Sequence, residues 1–118
     1  MKKASDPRHI ARIKIMQELF SHDFKPGRTS KGAREVIVAL PQIDQVVAKS
    51  APEWPVAKIN KVDLAILRLA IFELIIKKGE PFKVVVDEAV ELAKEFGSDA
   101  SPAFINGVLG NVINGKPN

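Results

Sequence analysis

Apolar residues recur along this chain at the spacing of helix faces, and the pattern is densest in its last half. Residues 6–22 predict a first helix. Asp6 before Pro7 supplies an N-cap and a proline at the first helical position, where a missing N–H costs nothing. At about 100° per residue, Ala11, Ile13, Ile15, Met16, Leu19 and Phe20 sweep one broad face, opposite Lys14, Gln17, Glu18 and Ser21. Arg8 and Arg12 project into that apolar arc. An arginine so placed must either pair with a buried acid or extend off the edge of the bundle.

Residues 24–32 read as a basic loop rich in turn formers. Over 31–50 a helical pattern returns with Val36, Val38, Leu40, Ile43, Val46 and Val47, which Pro41 must bend or split. Pro52 and Pro55 then bracket a connection whose Trp54 is expected to pack as a lid on the core. Asn60 can cap the next helix. Asp63, at its third position, suits both a capping-box geometry and the positive end of the helix dipole. From 65 to 76 there is almost no polar face, so this helix must be surrounded by the others. Lys77, Lys78 and Gly79 are expected to close it.

A further helix is predicted over 82–96, with Val85, Ala89, Leu92, Ala93 and Phe96 inward and Gly97 as its stop. Ser101 is expected to cap the last helix and Pro102 to open it. There Ile105, Val108, Leu109 and Val112 form the buried stripe, with Phe104 at its margin. Gly107 and Gly110 would admit a close neighbour, either a helix or a ligand backbone. The whole pattern predicts an all-α fold: a compact bundle of five to six helices in a single domain over 1–118. It divides into a basic N-terminal part (1–52) and a C-terminal bundle (53–118).

Composition narrows the class. With 118 residues, 46% of them hydrophobic, the chain can bury a core without covalent staples. It has no cysteine, which excludes disulfides and thiolate metal sites. The lack of an N-terminal apolar segment makes a cytoplasmic location the expectation. The most apolar stretch, 62–76, is interrupted by Asp63, Arg68 and Glu73 and falls short of the roughly 20 residues of a membrane span. Net charge is +4, and its distribution is uneven. Residues 1–34 carry nine Lys/Arg against three acids, the rest nine against eleven. Basic charge gathered at one end suits an anionic partner such as nucleic acid, or serves only as a solubilising tail.

Little else points to chemistry. His9 and His22 have no metal-site spacing. The string GNVINGK at 110–116 spells most of a phosphate-binding loop but puts Pro117 where a magnesium-binding hydroxyl belongs. Asp87, Glu88 and Glu91 read as a solvated helix face rather than an acid–base pair. No enzyme and no cofactor is expected.

One resemblance is specific. The string RHIAR at 8–12 followed by QELF at 17–20 resembles the N-terminal signature of the NusB family. The likeness is denser further on, with EWP at 53–55, INKVD at 59–63, ILRLAIFEL at 66–74, PFKV at 81–84, EAVELAK at 88–94, FG at 96–97 and FINGVL at 104–109. The resemblance implies an all-α protein acting in transcription antitermination within the RNA polymerase antitermination complex. Such a protein pairs with NusE, a small-subunit ribosomal protein, on single-stranded boxA RNA of ribosomal RNA leaders.

It also implies residue roles. Lys2, Lys3, Arg8 and Arg12 would contact RNA phosphates, with an internal ion pair as the alternative for Arg12. Phe104 would stack on a base or pack in the core. Phe20 would face the partner, though core packing explains a helical phenylalanine better. Asp63 would face NusE or serve only as a capping acid. Arg68 reads as an internal ion-pair member. Two departures from the family pattern stand out. The chain between Phe24 and Trp54 is short by about one helix, and His9, Ile10, Ala100 and Ala103 occupy places often basic or polar. Alternatives to RNA binding are a NusE-binding module without RNA specificity and a self-associating homodimer.

Overall fold

The computed structural model describes residues 6–115. The described residues form six α-helices and no strand: α1 (Pro7–Phe24), α2 (Lys31–Val38), α3 (Leu40–Ser50), α4 (Lys61–Ile71), α5 (Phe82–Phe96) and α6 (Ser101–Asn114). A short 3-10 turn, Val56–Lys58, leads into α4. A wider π turn, Phe72–Lys77, finishes it.

Local chemistry sets most of these limits. Asp6 caps α1, its Oδ1 accepting from the Arg8 N–H at 2.9 Å. Ser30 caps α2 and Asn60 caps α4, where Asn60 Oδ1 accepts from the N–H groups of both Val62 and Asp63. Pro41 does split the 31–50 segment, because a proline ring fits only the first turn of a new helix. α4 lies at the centre, against α1, α3, α5 and α6. Its residues from Asp63 to Ile71 are all buried, and Ile66, Leu67 and Ile71 are wholly enclosed with Val36, Ile43, Val47, Ile105 and Leu109. Each such side chain contributes about 1.5–3 kcal/mol by leaving water.

Several details depart from the periodicity. α1 is rolled so that His9, Arg12, Met16 and Leu19 form its buried line, while Ile10 and Ala11 are exposed. The roll follows from carboxylates on α4's end and on α5 that receive the two basic side chains. α4 ends at Lys78, which takes the left-handed conformation (φ 57°), and not at Gly79. The Lys78 N–H closes the π turn on the Glu73 carbonyl at 2.9 Å.

Ser101 is the first residue of α6 rather than its cap. Its hydroxyl accepts from the Ser98 N–H at 2.9 Å, so it organises the preceding turn. Gly97 is required there, since a Cβ would sit 2.5 Å from the Ser101 side chain. Gly107 and Gly110 meet nothing within 4 Å, so no helix uses the space they leave. Phe96, at the end of α5, is turned partly to solvent.

Candidate nucleic-acid interface

Two surfaces carry the residues singled out by sequence. The first is the start of α1. Arg8 is exposed, its side chain 66% accessible, with only a loose 3.8 Å approach to Asp6. The next residue is fixed. His9 is buried, its Nδ1 3.0 Å from Glu88 and its Nε2 2.7 Å from Glu95. A ring facing a carboxylate on each nitrogen satisfies both only as imidazolium, which donates from both. Accordingly the hydrogen bond with Glu88, reinforced by Glu95 and opposed by burial, raises the His9 pKa above 6.5.

Arg12 is also buried and committed. Its guanidinium donates to Glu73 through two bonds of 2.9 and 2.8 Å, and its Nη1 lies 3.3 Å from Glu88. The structure therefore realises the ion-pair alternative for this arginine, which leaves no side of the fork for a phosphate. Together His9 and Arg12 lock the start of α1 to α4 and α5 and hold Arg8 outward.

The second surface is an aromatic shelf where α4 and α6 begin. Trp54, read as a lid, is instead 52% exposed, because the prolines around it keep the connection on the outside. Trp54 and half-buried Phe104 border two adjacent depressions, of about 300 and 420 Å³. Ile59, Lys58 and Asp63 complete the first, and Ala103, Gly107 and Asn111 help to line the second. The space over Gly107 is open to a ligand. Asn111 Nδ2 donates to the Ser50 carbonyl at 2.9 Å, fixing α6 against the end of α3.

At the shelf floor Asp63 is 7% exposed and its Oδ1 has no hydrogen-bond partner. Burial pushes its carboxyl above the ordinary 3.8, against the Ser101 hydroxyl that reaches it. The oxygen that caps α4 is Asn60 Oδ1, to which Asp63 donates its own N–H, and the unpartnered Asp63 oxygen beside two aromatic rings suits a ligand N–H.

The remaining expectations fall elsewhere. Phe20 is half-buried, packed on Phe24 with ring centroids 4.9 Å apart. Lys2 and Lys3 lie outside the described residues. Trp54 and His9 are the residues sequence reasoning undervalued, and only the proline bracket hinted at the first. No helix among the described residues is long and apolar enough to cross a membrane. Nor do they present a cluster of metal-ligating side chains.

An all-α bundle with a capped, basic first helix and an aromatic shelf beside its central helix defines a class of small helical modules. Within it, the NusB family profile matches residues 8–114, and the chain belongs to that family. The transcription antitermination protein NusB of Chloroflexus aggregans is 55% identical over 73 residues, covering 60% of this chain and 49% of that protein. The chain spans about half the length of the curated relatives it matches. Among solved structures, T. maritima NusB superposes with a TM-score of 0.81 at 28% identity, covering all of this chain and 96% of the other. A structure of antitermination factors NusB and NusE with double-stranded RNA shares the fold, with a TM-score of 0.78 at 22% identity and coverage of 92% of this chain and 96% of that one.

Proposed function

We propose that this protein is a non-catalytic, cytoplasmic RNA-binding factor in transcription antitermination of ribosomal RNA operons, binding boxA-type single-stranded RNA together with NusE. Family membership supports the reading. The observation that carries it is the Trp54–Phe104 shelf, with exposed aromatic surface and Lys58 at its edge. Aromatic faces stack on unpaired bases, and exposed cations such as Arg8 hold the backbone in register. Phe20 and Asp63 remain the proposed NusE-facing residues, and Lys2 and Lys3 proposed phosphate contacts. A second reading, a NusE-binding module without RNA specificity, draws on the commitment of Arg12 to Glu73, which removes one cation from the RNA face.

Fluorescence anisotropy of labelled boxA RNA against a scrambled control, with and without NusE and at two salt concentrations, separates the two. RNA recognition predicts a boxA preference that strengthens with NusE. Phe104→Ala and Trp54→Ala should each cost about 1–3 kcal/mol of binding, the worth of one stacked base. Equal, weak affinity for both RNAs, unaffected by these substitutions, would favour the module reading.

A further inference from the structure

A second groove, on the far face of α1 from its buried line, has no part in the shelf. It runs between the C-terminal half of α1 and the 25–30 connection and has a volume of about 370 Å³. Lys14, Gln17, Ser21 and Lys25 come from α1 and the residue that follows it, spaced three and four apart so that they share one face. Arg28 and Thr29 form the opposite wall. The walls are held in place. Glu18 Oε1 accepts from the Ser30 N–H at 2.7 Å, Arg34 donates to the Thr29 carbonyl at 3.0 Å, and Gly32 lets α2 close on Ile15.

The electrostatics are one-sided. Lys14, Lys25 and Arg28 are exposed and make no ion pair among the described residues. The acid in the groove, Glu18, is occupied by the Ser30 amide. No Leu, Ile, Val, Met, Phe or Trp side chain lines it and His22 is its one ring, so it lacks the apolar anchor pocket on which protein interfaces depend. Lysine, arginine, glutamine, serine and threonine are instead the groups that hold nucleic-acid phosphates. From Lys14 to Lys25 the α1 axis advances about 16 Å, room for several nucleotides rather than one anion. The Asp23–Lys61 ion pair, 3.1 Å, joins this end of α1 to the segment that carries Lys58 and Asn60 of the shelf.

We propose that this groove is a second, sequence-independent RNA site, in which Lys14, Lys25 and Arg28 hold the phosphate backbone of a single strand beyond the bases read at the shelf. The inference rests on the RNA-binding reading above. Its test is the salt dependence of boxA and scrambled-RNA binding by the full chain and by the triple variant Lys14→Glu, Lys25→Glu, Arg28→Glu.

The groove predicts that the triple variant loses more than about tenfold in affinity at low salt, equally for both RNAs, because backbone contacts carry no sequence information. The slope of log affinity against log salt should flatten by about 2, the value for three contacts to a single strand. The glutamine version of the three should fall between, and unchanged thermal unfolding of either variant excludes misfolding as the cause. Wild-type boxA binding with no change of affinity or slope in the variants overturns the groove while leaving the RNA reading intact. Loss of NusE binding with RNA affinity preserved also overturns it, in favour of a protein partner. Displacement of RNA by inorganic phosphate at constant ionic strength would mark a single-anion site and overturn the strand. A wild-type chain that binds no RNA, alone or with NusE, removes the RNA reading and the groove together.

Discussion

Arg12 and Arg68 are both buried, each with a guanidinium fork set on one carboxylate, yet they keep different company. The fork of Arg12 meets Glu73, with Glu88 at 3.3 Å and Glu80 at 3.9 Å, and His9 bridges Glu88 to Glu95 beside it. Arg68 meets Asp44 at 2.9 and 2.8 Å and Asp23 at 2.9 Å, and Lys61 closes on Asp23 from outside. The first cluster ties α1 to the π turn after α4 and to α5, the second ties it to α3 through Arg68 in the last turn of α4 and to Lys61 at the start of that helix. One contains a histidine, whose pKa is raised above 6.5 mainly by its hydrogen bond with Glu88, and the other contains none. Glu73 and Glu88 are also better shielded, with side chains 8% and 2% exposed against 20% and 30% for Asp23 and Asp44. The two clusters should therefore fail under different stresses.

The sharpest way to break the comparison is to delete each arginine. Arg12→Met strands two enclosed carboxylates and should cost about 3–5 kcal/mol, read as a lowered midpoint in urea. A loss below about 1 kcal/mol would mean that water already reaches Glu73 and Glu88. Arg68→Met should cost less, about 2–3 kcal/mol, because Asp23 and Asp44 can rehydrate and Lys61 stays in place. Equal costs would show that exposure of the partners does not set the difference.

Acid and base should act on the clusters in opposite directions. His9 has a raised pKa in the folded chain, so its contribution is fully present below about pH 6.5 and is lost as pH rises through the folded value. For Asp23, burial alone would raise the pKa, but hydrogen bonds from Arg68 and Lys61 outweigh it and hold the carboxyl below 3.8. Its contribution is present above that value and lost as pH falls through the folded one. The stability gap between wild type and His9→Gln should shrink on going to alkaline pH, while that between wild type and Asp23→Asn shrinks only in strong acid. A pH-independent His9 gap would refute the imidazolium bridge.

The smallest effect concerns the π turn that carries Glu73. Lys78→Gly relieves a left-handed lysine at its end and should stabilise by up to about 1 kcal/mol while keeping the backbone bond to Glu73. Urea unfolding of the Arg12→Met and Lys78→Gly double variant should depart from additivity if the two couple through Glu73, whose carboxylate accepts from Arg12 and whose carbonyl accepts from Lys78.

These clusters also show how far a sequence can be read. The burial and pairing of Arg68 followed from an arginine within an otherwise apolar helix, and Phe104 fell at the margin where its wheel position put it. The shelf as a whole did not follow, since Trp54 was expected inward and only packing shows that it borders the same depressions as Phe104. For Arg12 the choice between phosphate and carboxylate was open, because its partner Glu73 lies 61 positions away along the chain.

By itself, the sequence determined the approximate course of the helices, the break before Pro41, the caps at Asp6 and Asn60, and the central place of α4. All of these depend on groups within a few residues of one another, so spacing and local hydrogen bonding suffice. The tertiary structure decided the roll of α1 about its axis, the partners of His9 and Arg12, the outward turn of Trp54 and the wall of basic residues along the second groove. Periodicity marks a face only to within its own breadth. Which part of that face is buried depends on carboxylates as far away as Glu88, 79 positions from His9, and on the energy of leaving such charges unpaired.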